Sequence, residues 1–473
     1  MDALVIVVLY FVVLIGIGIF ASKRTKNAQD FAVAGRRLSM FVALCTIIAS
    51  EWGGGNVMGV SADAYAYGVS AYIYPLSMGI GIFLLGLLLA KKYWSIEEIS
   101  MCKYIRKRYS KRCEILATVL MLLSIMLVTG SQFKSGGFLA ETVFGLPHAQ
   151  AVVIFAIIVC IYTSLGGLLA VAYNDTLNLI LGGVGLIVCL IFGLNQVGGV
   201  TELIRAIPES HTDPRPYGSW IWAVDYLASC TFVMLAVPEL IQRIWACKTP
   251  ETARKACMAG SVVYVAYGVI SLTLGLIALL LLPGIDAGMA IPALVMELFP
   301  RLIAMFIILS ILAALVSTAD TMLLICSAMI VEDLIKPFAK REFDDKESLR
   351  LMRVFVFVVG LVTVLFATGF DRVLGLILFS YYVYIGISTS FIFGRIWRGA
   401  TERAAFFSMI ISGLCSAVWE FGGLSYKVSW ATTGIVSVVT AVLPFFLISL
   451  LDKSDRNRQS DRASQPLSVK EEV

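Results

Sequence analysis

Glu51, Lys134, Asp175 and Asp320 are charged side chains that stand inside long apolar stretches of this 473-residue sequence. A charge at the centre of a bilayer costs about 2.5–3.5 kcal/mol even on lenient scales, so each needs a function or a specific partner. Asp320 lies in Ala313-Ala314-Leu315-Val316-Ser317-Thr318-Ala319-Asp320-Thr321. Ser317, Asp320 and Thr321 stand at i, i+3 and i+4 and share one helix face. Hydroxyls with a carboxylate form a hard-oxygen set suited to Na⁺. Hydrogen bonding between helices explains the hydroxyls but not the acid.

Glu51 lies in Ala49-Ser50-Glu51-Trp52-Gly53-Gly54-Gly55-Asn56. Each glycine weakens a helix by about 1 kcal/mol relative to alanine. Unwound backbone at membrane depth survives only inside protein or beside a water-filled cavity, where its freed carbonyls can coordinate a cation. Close helix packing through small residues is the other reading, and the adjacent acid favours the first. Asp175 follows Ser164-Leu165-Gly166-Gly167 and Tyr173-Asn174. By position it is either a helix N-cap or a functional acid. Lys134, in Ser131-Gln132-Phe133-Lys134-Ser135-Gly136-Gly137, has three readings: it snorkels, binds an anionic group, or neutralises Glu51.

These residues are carried by apolar runs. Hydrophobic residues make up 59% of the chain, charged ones only 15%, and mean hydropathy is +0.88. A soluble domain carries about 25% charged residues. The charges cluster between apolar runs of the length that crosses a hydrocarbon core. Spans are expected near 3–21, 38–61, 70–90, 113–139, 150–168, 174–196, 217–242, 257–283, 302–332, 353–369, 373–395, 404–422 and 428–451. The fold class is therefore an all-α polytopic membrane protein of about thirteen transmembrane helices, with residues 1–451 forming one domain. The basic cluster Lys23-Arg24-Thr25-Lys26 follows the first apolar run instead of preceding it, which is unlike a cleavable signal.

Net charge is +5, but its distribution points to topology rather than to a nucleic-acid partner. Of 37 lysines and arginines, 31 fall in one alternating set of loops and the tail, and five (Arg205, Arg215, Arg301, Arg372 and Lys427) in the other. The positive-inside rule then puts the N-terminus outside, the C-terminus in the cytoplasm, and the chain in the cell (inner) membrane. The polar tail 452–473 is expected to be disordered. The ten cysteines read as small apolar fillers, and two histidines, His148 and His211, leave little for a histidine-based catalytic or metal site. No enzyme and no cofactor are indicated.

Val237-Pro238-Glu239 interrupts the seventh expected helix, five helices after the glycine break in the second. Proline removes a backbone hydrogen bond and kinks a helix. Interruptions at matching places in two halves mark inverted-repeat transporters. Five helices per repeat give repeats at about 38–196 and 217–395, with one helix before them and two after.

The motifs resemble the sodium:solute symporter family, whose members include proline and pantothenate permeases and sodium-coupled sugar and sialic acid transporters. The matching stretches are Asp30-Phe31-Ala32-Val33-Ala34-Gly35-Arg36-Arg37, the glycines at 53–55, Gly166-Gly167 leading to Asn174-Asp175, Gln242-Arg243, and Ser317-Thr318-Ala319-Asp320. The resemblance implies a LeuT-like five-plus-five inverted repeat with an extra N-terminal helix and two C-terminal helices. It implies a main Na⁺ site from the carbonyls of Ala49, Trp52 and Ala314 and the hydroxyls of Ser317 and Thr318. A second cation position would involve Asp175, Asp320 and Thr321. Glu51 stands where the proline permease has an aspartate important for Na⁺ dependence. Asn56 and Tyr74 fall where sugar-transporting members contact substrate. Gln132-Phe133 resembles the pantothenate permease, but Lys134 departs from it.

The resulting expectation is a Na⁺-coupled symporter importing a small organic solute, with a carboxylate-bearing one favoured, such as an organic acid or amino acid. Its partners are the solute, Na⁺ and the lipid bilayer. Glu51, Asn56, Tyr74, Gln132 and Lys134 are the substrate and coupling candidates. The alternatives are a H⁺-coupled carrier of the same fold, a channel, or a ligand sensor.

Overall fold

The computed structural model describes residues 36–96, 98, 100–165, 168–339, 341 and 343–452, with Val12 and Gly16. The expected first helix at 3–21, the Asp30–Gly35 part of the family-like stretch, Gly166-Gly167 and the tail beyond Asp452 lie outside the described residues. The described chain is helical throughout, with one isolated bridge pairing Leu38 and Cys247.

In chain order the helices that matter are α1 (Met40–Glu51), α2 (Val60–Tyr67), α3 (Ile73–Leu84), α4 (Met101–Arg108), α5 (Lys111–Phe144), α6 (His148–Leu165), α7 (Leu168–Gln196), α8 (Trp220–Met234), α9 (Pro238–Ala246), α10 (Pro250–Leu281), α11 (Ala290–Leu298), α12 (Arg301–Met329), α13 (Asp345–Gly369), α14 (Val373–Ile396), α15 (Glu402–Phe421) and α16 (Thr433–Leu451). Several starts are written in the sequence. Ser100, Ser110, Thr249, Asp344 and Thr401 each accept a hydrogen bond from the backbone N–H three residues on, satisfying a donor the helix cannot.

Among the described residues ten helices are long and apolar enough to cross a membrane; of the thirteen expected spans, the one at 3–21 lies almost wholly outside those residues. The rest of the difference has local causes. The glycine break leaves α1 as a short helix of 12 residues. A continuous helical run from Gly55 to Trp94 also spans two expected segments. That run is turned at Gly68, whose φ of +80° belongs to the left-handed region that favours glycine. A Cβ there would also strike the His211 backbone.

Burial sorts the bundle. In α14 and α12, 89% and 78% of the most apolar window is covered by protein, against 28% in α13 and α16. The first pair is central, and the second presents its apolar side chains outward as a lipid-facing helix does. α1 packs on α7, α9, α10 and α12, and the chain after the break packs on α14. The Leu38–Cys247 bridge, with Leu38 N–H donating to Ala246 O at 3.0 Å, ties the entry of α1 to the exit of α9.

Candidate ion and substrate site

Both expected interruptions are present. α1 ends at Glu51; Trp52–Gly54 form a turn, and the helix resumes as a π turn, Gly55–Gly59. α8 ends at Met234, Val237 is extended, and α9 restarts with Pro238 as its first residue, where the missing N–H costs nothing. α1, which ends at the first break, packs on α9, which starts at the second.

The glycines are required by what crosses them. A Cβ on Gly53 would lie 2.5 Å from Thr318 Oγ1 and 2.6 Å from Gln132 Oε1. The Gly54 N–H, released from the helix ladder, donates to Gln132 Oε1 at 2.6 Å. A Cβ on Gly55 would meet Ile377 and the Tyr74 hydroxyl. Gln132 on α5, Thr318 on α12 and Tyr74 on α3 therefore surround the break.

Of the five expected Na⁺ ligands, three oxygens come together. The Thr318 hydroxyl lies 3.4 Å from Ala49 O and 3.3 Å from Ala314 O. Ser317 points elsewhere: its hydroxyl donates to Asp175. Trp52 opens the turn, and its ring lies 4.5 Å from that of Tyr267 at a tilt of 40°. Asp320 and Thr321 are buried on α12, with the Thr321 hydroxyl donating to Ser317 O at 3.1 Å.

Asp175 is not a helix cap. α7 begins at Leu168, so Asp175 sits inside the helix and is fully buried. Its carboxylate accepts from Thr46 Oγ1 at 2.6 Å, from Arg243 Nη2 at 3.2 Å and from Ser317. Arg243, counted from the sequence among loop cations, is instead buried in the last turn of α9. Its Nε donates to Thr46 O and Oγ1 at 3.0 Å, and Nη1 donates to Glu239 O at 3.1 Å. Sequence reasoning missed Thr46 altogether; the Gln242-Arg243 motif was the available signal for Arg243.

Glu51 is buried, and its Oε1 meets no hydrogen-bond partner. Asn56 Nδ2 reaches Tyr264 O at 3.5 Å, while Asn56 Oδ1 is also unpartnered. Lys134 is not brought to Glu51. Its Nζ lies 5.7 Å over the Phe138 ring, and the acidic residues whose field reaches it are Asp371 and Asp286. The charged residues whose field reaches Glu51 are Glu239 and Arg243. A second charged cluster, unforeseen in the sequence, joins Asp63 of α2 to Arg372 at the start of α14. Arg372 also donates to Tyr217 Oη at 2.5 Å and lies over the Tyr67 and Tyr217 rings.

A helix pair broken in its middle, with carbonyls and hydroxyls converging at the gap, defines a LeuT-like secondary transporter. The comparisons agree. Residues 31–412 match the Sodium:solute symporter family, and the chain belongs to that family. The osmoregulated proline transporter OpuE of Bacillus subtilis is 26% identical over 94% of this chain and 92% of its own length. The sodium/proline symporter of Escherichia coli is 28% identical over 88% and 87%. Among solved structures, a substrate-bound, outward-open Na⁺-coupled sialic acid symporter matches with a TM-score of 0.81 over 96% of this chain and 98% of that one, at 18% identity. A closed conformation of the nucleobase-cation-symport-1 transporter MHP1 matches at 0.63, covering 93% and 100%, with 14% identity. The chain is thus a membrane-spanning, Na⁺-coupled solute transporter and not an enzyme.

Proposed function

We propose that this protein imports a small, carboxylate-bearing organic solute together with Na⁺ by alternating access. The observation that carries the reading is the meeting of Thr318 Oγ1, Ala49 O and Ala314 O beside the unwound turn at 52–54. Oxygen ligands of this kind replace the hydration shell of a hard cation. The Trp52 carbonyl and the Ser317 hydroxyl would complete the proposed site, the latter only by turning away from Asp175, to which it donates in this structure. A second cation at Asp175, Asp320 and Thr321 would compete with Arg243 for the Asp175 carboxylate, so we assign one principal Na⁺.

The solute binds at the glycine break, with Asn56, Tyr74 and Gln132 around it. The N-terminal end of the half-helix that resumes at Gly55 carries partial positive charge and suits a carboxylate. The curated relatives move proline, which carries such a group. Lys134, beside Phe138, Asp286 and Asp371, acts on the anion from a distance rather than as its direct partner. Alternating access follows from repeats at about 38–196 and 217–395 rocking about the two breaks, with the N-terminus outside and the C-terminus in the cytoplasm.

Uptake into proteoliposomes at fixed pH, with choline replacing Na⁺, tests the coupling. Solute accumulation that requires Na⁺ is expected. Accumulation driven by a proton gradient without Na⁺ would establish the H⁺-coupled alternative. Ion current without solute accumulation would establish a channel, and binding without flux a sensor.

A further inference from the structure

Away from the breaks, α1 and α9 have their other ends at one place. Leu38, just before α1, pairs with Cys247, the residue after α9. Leu38 N–H donates to Ala246 O at 3.0 Å, and Lys248 N–H donates to Leu38 O at 3.2 Å. The short helix Ala90–Trp94 is tied to the same point: Trp94 Nε1–H donates to Cys247 O at 2.9 Å, and Trp245 Nε1–H to Tyr93 O at 2.9 Å. Segments 36–38, 91–96 and 247–255, far apart in sequence, thus form one corner of the molecule at the ends of its membrane helices.

These three segments carry seven lysines and arginines against a single acid, Glu251. Glu251 is taken by Lys91 at 2.5 Å and by Arg254 at 3.7 Å. Arg36 lies over the Trp94 ring and donates to Ile96 O at 3.3 Å. The other four, Arg37, Lys92, Lys248 and Lys255, are exposed, and among the described residues no acid is paired with them. Alternation along the bridged strands turns Leu38 and Cys247 inward, so Arg37 and Lys248 face out on the same side. Phe41 stands four residues from Arg37 and Leu88 four residues from Lys92, and both apolar side chains are exposed. A soluble anion would match the charge alone. A phospholipid matches both the charge and the apolar rim beneath it.

We propose that this corner holds the phosphate of an anionic phospholipid between Arg37 and Lys248, with Lys92 beside them and the acyl chains over Phe41 and Leu88. The bound lipid then pins the end of α1 to the end of α9. Basic side chains clustered at the end of a membrane helix are attracted to an anionic bilayer surface, and the attraction is screened by salt. The site is independent of which solute is carried and of which ion drives it.

The test uses the purified full chain in nanodiscs of phosphatidylcholine with an increasing share of phosphatidylglycerol, and reads the thermal unfolding midpoint. Phosphatidylglycerol is expected to raise the midpoint, because a ligand of the native state stabilises it. The Arg37→Gln, Lys248→Gln double variant should lose at least about half of that rise. Lys248→Gln alone should lose part of it, and serves where the double variant does not fold. Lys346→Gln with Arg350→Gln removes two exposed cations at the start of α13 and should keep the full rise. No rise with phosphatidylglycerol in the unaltered protein overturns the inference. An equal rise in all variants also overturns it, by assigning the effect to the surface potential of the bilayer at large. A rise reproduced by glycerol 3-phosphate in pure phosphatidylcholine overturns the lipid as occupant and puts a soluble phosphate ester in its place.

Discussion

Arg243 of α9 and Asp175 of α7 form an ion pair at 3.2 Å with their side chains 5% and 0% exposed. The same carboxylate takes the Ser317 hydroxyl, so one buried acid links the last turn of α9 to a proposed Na⁺ ligand on α12.

Removing one member of this pair strands a buried charge, which costs about 3–5 kcal/mol. Arg243→Met and Asp175→Asn are each expected to lower the thermal unfolding midpoint of the purified protein markedly. The double variant should recover part of the loss, since no lone charge remains. A double variant as unstable as the sum of the single changes would show that the two residues are not coupled.

Thr318→Ala removes the hydroxyl that meets Ala49 O and Ala314 O. The Na⁺ concentration giving half-maximal uptake should rise by about 10-fold, corresponding to about 1.4 kcal/mol. Ser317→Ala should add to the effect and also release Asp175. Unchanged Na⁺ dependence in the Ser317→Ala, Thr318→Ala double variant would remove the site assignment.

Gly53→Ala places a methyl group against Thr318 Oγ1 and Gln132 Oε1, where overpacking costs about 1–3 kcal/mol. Na⁺-driven uptake is expected to fall at least about 10-fold with the protein still inserted. Gly413→Ala, whose added Cβ would meet only Leu120 at an ordinary 3.6 Å, should transport normally. Equal rates in the two variants would show that the packing at the break is not needed for transport.

Lys134 and Glu51 answer to different acids and bases, so their substitutions should behave independently. Lys134→Met combined with Glu51→Gln is expected to transport no better than the worse single variant. Recovery of uptake in the combined variant would mean that the two charges neutralise each other during the cycle.

Cysteines introduced at Asp213 and Arg341, both solvent-facing in surface loops, read the orientation. Labelling of the first from outside only and of the second from the cytoplasm only is expected. The reverse pattern would overturn the charge-based topology.

Much of this molecule is decided one residue at a time, and that part is legible in sequence. Long apolar runs must be membrane helices because backbone polar groups have no other partner in lipid. Three adjacent glycines and Pro238 break helices wherever they stand, by backbone entropy and a missing donor, and both breaks fall where expected. Ser100, Ser110, Thr249, Asp344 and Thr401 cap helices by contacts three residues away. Pairings across the chain are another matter. Asp175 reads equally well as a cap or a functional acid until Thr46, Ser317 and Arg243, at separations of 129, 142 and 68 residues, close on it. Arg243 reads as a loop cation, and Arg372 as another, until the fold buries the first and sets the second on Asp63. Lys134 and Glu51 look like natural partners because they are opposite charges in apolar stretches, yet the fold assigns them to different neighbours. Charge fixes only that a buried ion needs a counter-ion; which one it receives depends on side-chain directions and helix packing summed over the bundle, and those exist only in the tertiary structure.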